Sequence, residues 1–282
     1  MALRYILKDA QKQAEQSNQV CQQVLSYLKQ VRASLQNFAD LKEEVGPSVK
    51  TAQDFAITIY DPLAHGLENL CDEIISQNKR FIKLYQDEVA NVSLAEDEIR
   101  TQVNEVKQMR LMAESLQLEN QAGDEIDQEY KAAEQKLTHK MQKLEQYNDR
   151  TAGYFEEARY LFVQIQTGLR ELASQTHFNT KRGEFSTDKM DLSWLGNLKQ
   201  YDKEHVFAKR YGIPEPLDTD LGTYHRYLEE IIEQEAALRE AGWSDDKVKK
   251  YFNDLGKRVV DSKSNEIISQ VREAFQATGI ES

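Results

Sequence analysis

Leu3, Leu7, Ala10, Ala14, Ser17, Cys21, Val24, Leu28, Val31, Leu35 and Phe38 follow one another at spacings that alternate four and three, with no glycine or proline among them. Apolar positions that recur every seven residues draw a stripe along a helix, and another helix must cover that stripe. This stretch therefore confines the chain to bundle or coiled-coil architectures. Ala10, Ala14 and Ser17 make the stripe shallow in its middle, where a neighbouring helix can approach closely. The first break is Gly46-Pro47, since a proline inside a helix removes a hydrogen bond and clashes with the preceding turn. At ~1.5 Å per residue, a helix reaching almost to that break is roughly 65 Å long.

Pro47 suits the first turn of a second helix, where its missing N–H costs nothing. The stripe of that helix reads Ala52, Phe55, Ile59, Leu63, Leu67, Leu70, Ile74, Phe81, Tyr85 and Val89, and Pro62 inside it predicts a kink within a turn. Ser93-Leu94-Ala95-Glu96 has the form of a capping box and opens a third helix through Ile99, Val103, Val106 and Ala113. A fourth pattern runs from Asp124 to about Ser174, with Gly153 and Gly168 weakening it without ending it. Residues 176–200 lose the period and read as a linker. Three shorter helices follow, punctuated by Gly242, Ser244-Asp245-Asp246 and Gly279. The expected fold is all-α: an elongated bundle of long antiparallel helices over residues 1–175, a linker over 176–200 and a small three-helix unit over 201–282.

Twelve glycines and four prolines in 282 residues agree with that reading. A charged fraction of 30% and a mean hydropathy of −0.71 say that much of each helix faces water. The net charge of −12 argues against binding nucleic acid or an anionic membrane through a basic surface. No apolar run approaches the ~20 residues of a membrane span, and the N-terminus lacks the apolar core of a cleaved signal peptide. The expectation is a protein made in the cytoplasm that, if it leaves, does so without a cleaved signal. Cys21 and Cys71 both fall on apolar stripes and read as buried thiols, with a disulfide between the two long helices as the alternative.

Signals for catalysis are sparse. The chain has no glycine-rich phosphate loop, Gly-x-Ser-x-Gly elbow, His-Glu-x-x-His or Cys-x-x-Cys. His65 and His139 sit among polar neighbours and read as solvated. His205, Asp218, Asp220 and His225 share one irregular stretch, but Asp218 and Asp220 lack the spacing of a calcium loop and read as helix caps. No catalytic, cofactor-binding or metal-binding set is expected.

One order of features is more specific. Gly46-Pro47, then Phe55, then Ile59-Tyr60-Asp61-Pro62-Leu63, a long amphipathic helix and Phe81-Ile82-Lys83-Leu84-Tyr85 resemble the LXG domain, the N-terminal targeting module of toxins exported by the type VIIb secretion system of Gram-positive bacteria. The likeness covers roughly residues 1–175, with Gly46, Pro47, Phe55, Tyr60, Pro62 and Leu63 as its signature. The leucine that names the family corresponds here to Glu44, with Leu41 a turn earlier. The resemblance implies a secreted toxin of interbacterial competition. Its expected partners are small helical WXG-like targeting proteins or chaperones, which present it to a secretion ATPase complex. The seam residues Leu3, Leu7, Ala10, Ala14, Val24 and Leu28 are the expected contact set. Export substrates of this kind carry a Tyr-x-x-x-Asp/Glu signal; Tyr5–Asp9, Tyr130–Glu134 and Tyr211–Glu215 match it, with Tyr130 and Glu134 the helical candidates. Roughly two such matches arise by chance at this composition, so the motif discriminates little. Trp194-Leu195-Gly196 is similar to the Trp-x-Gly turn of the small export partners, a capped turn in the linker being the plainer reading. Two other functions stay open: residues 201–282 as a small enzymatic toxin domain, and a pore-forming helical toxin. The acidic, glutamine-rich helix faces argue against the second.

Overall fold

The computed structural model describes residues 2–41, 46–116, 122–174, 177–213, 221–259 and 264–280. The chain is all-α, with two short antiparallel ladders as its only described strands. In order, β1 is Arg4–Tyr5, α1 Leu7–Ala39 and α2 Pro47–Phe55, followed by a π-helical turn, Ala56–Tyr60, and α3, Asp61–Glu88. Next come β2 (Leu94–Ala95), α4 (Glu96–Leu116), α5 (Ala122–Thr151) and α6 (Glu156–Ser174). The hairpin β3 (Phe178–Asn179) and β4 (Glu184–Phe185) leads to α7 (Ser193–Tyr211), α8 (Leu221–Glu240), α9 (Asp245–Val259) and α10 (Ser264–Gln276). These form two compact units: Met1–Val20 with Ile74–Tyr154, and Cys21–Glu73 with Phe155–Ser282.

In the first unit, α4 and α5 form a helical hairpin laced by charge: Arg110 on α4 reaches Asp127 (3.4 Å) and Glu134 (3.5 Å) on α5, and Lys107 reaches Glu134 (3.4 Å). The other end is an aromatic knot. Tyr5 stacks on Tyr85 at 3.8 Å and meets the edge of Tyr147 at 5.4 Å, while Phe81 packs on Tyr147 at 5.4 Å. Burial and neighbouring Tyr5 push the Tyr85 phenol up to about 12, and its hydroxyl donates to Val92 O (2.8 Å).

The capping box at Ser93 is used differently from its expected form. Glu96 Oε2 accepts from Leu3 N–H (2.8 Å) and Ser93 Oγ accepts from Leu7 N–H (3.0 Å), while Glu96 N–H donates to Leu3 O (2.8 Å). Both side chains therefore serve the N-terminal segment, whose β1 pairs with β2 in the register Arg4↔Ala95 and Tyr5↔Leu94. The free donors at the start of α1 compete for the same oxygens, and the ladder delivers them.

In the second unit the kink expected at Pro62 takes the form of the π-turn, in which Asp61 N–H bonds Ala56 O. Widening the turn just before a proline spares the clash between its ring and the carbonyl four residues back. Residues Phe55, Ile59 and Leu63 are buried on this bend, and β4 lies on α2, where Phe185 N–H donates to Thr51 Oγ1 (3.0 Å). α7 to α10 enclose an apolar core, with Phe207, Tyr227, Ile231, Val248, Phe252, Ile267 and Val271 buried in it. Gly212 and Gly242 end α7 and α8 in the left-handed conformation (φ 61° and 80°), and Trp243 N–H reaches back to Leu238 O (3.0 Å).

Three local expectations are corrected. The fourth helical pattern is two helices, α5 and α6, separated at residues 152–155, where Gly153 withdraws helix propensity and Tyr154 is buried against Phe81. Residues 193–200, expected in the linker, are the first half of α7. Trp194-Leu195-Gly196 is consequently helical and not a turn: Trp194 is fully buried, and its ring lies where a Cβ on Gly168 would fall 2.8 Å from Cε3.

Candidate partner-binding surface

α1 presents two apolar faces of different fate. Leu7, Ala14, Cys21 and Leu28 recur every seven residues and are buried by the chain's own side chains; Leu3, Ala10 and Val24 are half-buried. Beside them Val20, Tyr27 and Val31 stand out, Tyr27 at 68% exposure. With Val24 they fall at i, i+4, i+7 and i+11, the spacing of a helix-docking stripe. From Gln16 to Val31 the only charged residue is Lys29; the rest of the surface there is glutamine, serine and asparagine. In a chain with 30% charged residues, this length of uncharged, partly apolar helix face stands apart. Sequence reasoning placed Val24 and Val31 in the seam but missed Val20 and Tyr27, because the heptad pattern is blind to residues adjoining it.

Phe155, just before α6, and Phe162 and Leu169 on it form a second exposed apolar row, again at intervals of seven, with Val163 beside it. On α4, Met109 and Leu111 are exposed as well.

The signature residues divide by role. Phe55 and Leu63 belong to the core, Pro62 is half-buried at the π-turn, and Tyr60 is exposed with its ring on Phe55 at 5.6 Å. Gly46 precedes α2 in an extended conformation and Pro47 fills its first turn; Glu44 lies outside the described residues. Tyr130 is half-buried on α5, and Glu134 is engaged by Lys107 and Arg110. Tyr5 is held in the aromatic knot, and Glu215 lies outside the described residues.

Two polar clusters were missed. His65, read as solvated, bridges elements instead: its Nε2 lies 2.7 Å from Asp202 Oδ1 on α7, and its Nδ1 3.1 Å from Glu68 and 3.2 Å from Arg32 Nη1. Arg32 also bonds Asp61 (2.9 Å) and Glu68 (2.7 Å), and these carboxylates hold its pKa above the usual value. Sequence spacing alone does not bring positions 32, 65 and 202 together. The second cluster is Glu204 on α7, 2% exposed, with Oε2 2.5 Å from His225 Nδ1 and Oε1 accepting from Gln200 (2.6 Å). His225 Nε2 is enclosed and makes no hydrogen bond. The Glu204–His225 couple fastens α7 to α8. Among the described residues, no group of three or more His, Cys, Asp or Glu is arranged to hold a metal ion; Asp218 and Asp220 lie outside them. No described helix is long and apolar enough to cross a membrane.

No protein-family model and no solved structure matches the chain. Over 208 residues it is 28% identical to a Bacillus cereus protein named Toxin; the aligned part covers 73% of this chain and 38% of that protein. The chain thus spans less than two fifths of its relative's length. Across most of its own length, it is similar to part of a protein named as a toxin.

Proposed function

We propose that this chain is the non-catalytic export and targeting part of a secreted antibacterial toxin, of the LXG kind, that travels by type VIIb secretion. It leaves the cytoplasm bound to one or two small helical WXG-like proteins, which present it to the secretion ATPase. The similarity to a protein named Toxin supports the toxin setting. The resemblance of Gly46-Pro47, Phe55 and Tyr60-Asp61-Pro62-Leu63 supports the export module. The observation that carries partner binding is the stripe Val20, Val24, Tyr27 and Val31: apolar, uncharged and left open while the other face of α1 is used internally. A surface like this loses water-exposed apolar area when a similar helix lies on it.

The test is co-expression with small helical WXG-like proteins encoded in the same genome. A complex that survives gel filtration, and export that stops when those genes are deleted, support the proposal. Export that continues unchanged without them overturns it.

A further inference from the structure

A groove of about 330 Å³ opens between α8 and α10, in the lower part of the ~300–1,000 Å³ range of small-ligand sites. Its floor is Ala237, the buried ring of Phe275 and the carboxamide of Gln234, a residue only 4% exposed. That carboxamide is fixed at both atoms: Oε1 accepts from the Tyr251 hydroxyl (3.0 Å) and Nε2 donates to Val271 O (3.4 Å). The floor therefore holds its shape before any ligand arrives.

The charges at the rim decide what the groove accepts. Arg272 is the one cation among its described lining residues, and it is already used: Nε and Nη2 donate to Glu230 Oε1 (3.1 Å) and Oε2 (3.0 Å) as a forked pair. Glu233, the next acid along this face of α8, is exposed and pairs with no cation among the described residues. An anionic ligand would meet a carboxylate and no free positive charge. A cationic ligand gains Glu233 as its counter-ion, beside apolar surface that limits screening by solvent.

We infer that this groove is a binding site for a small organic cation, an ammonium or amidinium group carried on a flat apolar body. Glu233 takes the charge, and Phe275 and Ala237 take the body. An aryl body suits the floor because aromatic rings pack favourably on one another. The assignment stands apart from the export reading: the groove belongs to α8 and α10 and uses no residue of the α1 stripe.

The experiment titrates benzamidine into the isotope-labelled full chain and follows amide chemical shifts, with neutral benzamide and anionic benzoate as charge controls. The expected result is a set of saturable shifts centred on Gln234, Ala237 and Phe275, with a Kd on the order of 1 mM for a ligand of this size. Benzamide should bind about three- to tenfold more weakly, and benzoate should give no saturable shift there. Glu233 and Arg272 are exposed, so substituting either should leave the melt unchanged. Glu233→Gln should weaken benzamidine by about three- to tenfold. Arg272→Gln, which frees Glu230 as a second carboxylate, should tighten it by about two- to fivefold. No saturable shift, shifts centred elsewhere on the chain, benzamide or benzoate binding as tightly as benzamidine, or an unaltered Kd in either variant would each overturn the inference.

Discussion

A Cβ on Gly168 would fall 2.8 Å from Cε3 and 2.9 Å from Cδ2 of Trp194, a ring that is fully buried and has nowhere to turn. On Gly66 it would meet Leu198 Cδ1 at 2.9 Å, the far end of a side chain that can change rotamer. On Gly196 it would meet nothing within 4 Å. Three glycines within helices therefore predict three outcomes in denaturant melts. Gly168→Ala should destabilise by about 1–3 kcal/mol despite alanine's better helix propensity. Gly66→Ala should be near neutral, and Gly196→Ala should stabilise by up to ~1 kcal/mol. An unstable Gly196→Ala protein would contradict the helical placement of Trp194-Leu195-Gly196. Glu96 predicts a pH effect. Its bonds from Leu3 N–H, first, and from Arg100 hold its pKa below the usual carboxylate value. A depressed folded pKa means that the contribution is complete above the unfolded value of about 4.3 and is lost as pH falls through the folded one. Hydrogen exchange at the Leu3 and Leu7 amides should therefore accelerate below about pH 4 before the α4–α5 hairpin opens; simultaneous loss would contradict the capping role.

Single elements show what could be read from sequence and what could not. The heptad seam of α1, the start of α2 at Pro47 and the glycine stops at Gly242 and Gly279 were legible because each depends on neighbours within a few residues. The second buried face of α3 was not. Ala64, Gly66, Asn69 and Glu73 are buried alongside the apolar stripe, and nothing local marks a glutamate or asparagine as interior. Their burial follows the arrival of α7, far along the chain, where Leu198 meets Gly66 and Tyr201 meets Glu73. The capping box was misread for a similar reason: its spacing was correct, but its recipients came from the N-terminal strand. The same reasoning explains the candidate surface. The seam residues Leu7, Ala14 and Leu28 were legible as contacts, but not that their contacts lie within the chain.

At the scale of the whole molecule, α1 buries one face within the chain and, on the proposed reading, offers the other to export partners. Substitutions on the two faces should then separate folding from binding. Leu28→Glu places a charge at a buried position and should cost several kcal/mol, enough to lower helicity and melting together. Tyr27→Glu with Val31→Glu changes exposed positions and should leave stability within about 1 kcal/mol. A docked helical partner buries about 1,200–2,000 Å² in a stable complex, and two charges in its centre should abolish it. The decisive measurement is co-purification of the proposed small helical WXG-like proteins with the Tyr27→Glu/Val31→Glu chain, taken beside its circular dichroism melt. The account predicts an unchanged melt and no partner; an unchanged melt with the partner still bound would contradict it.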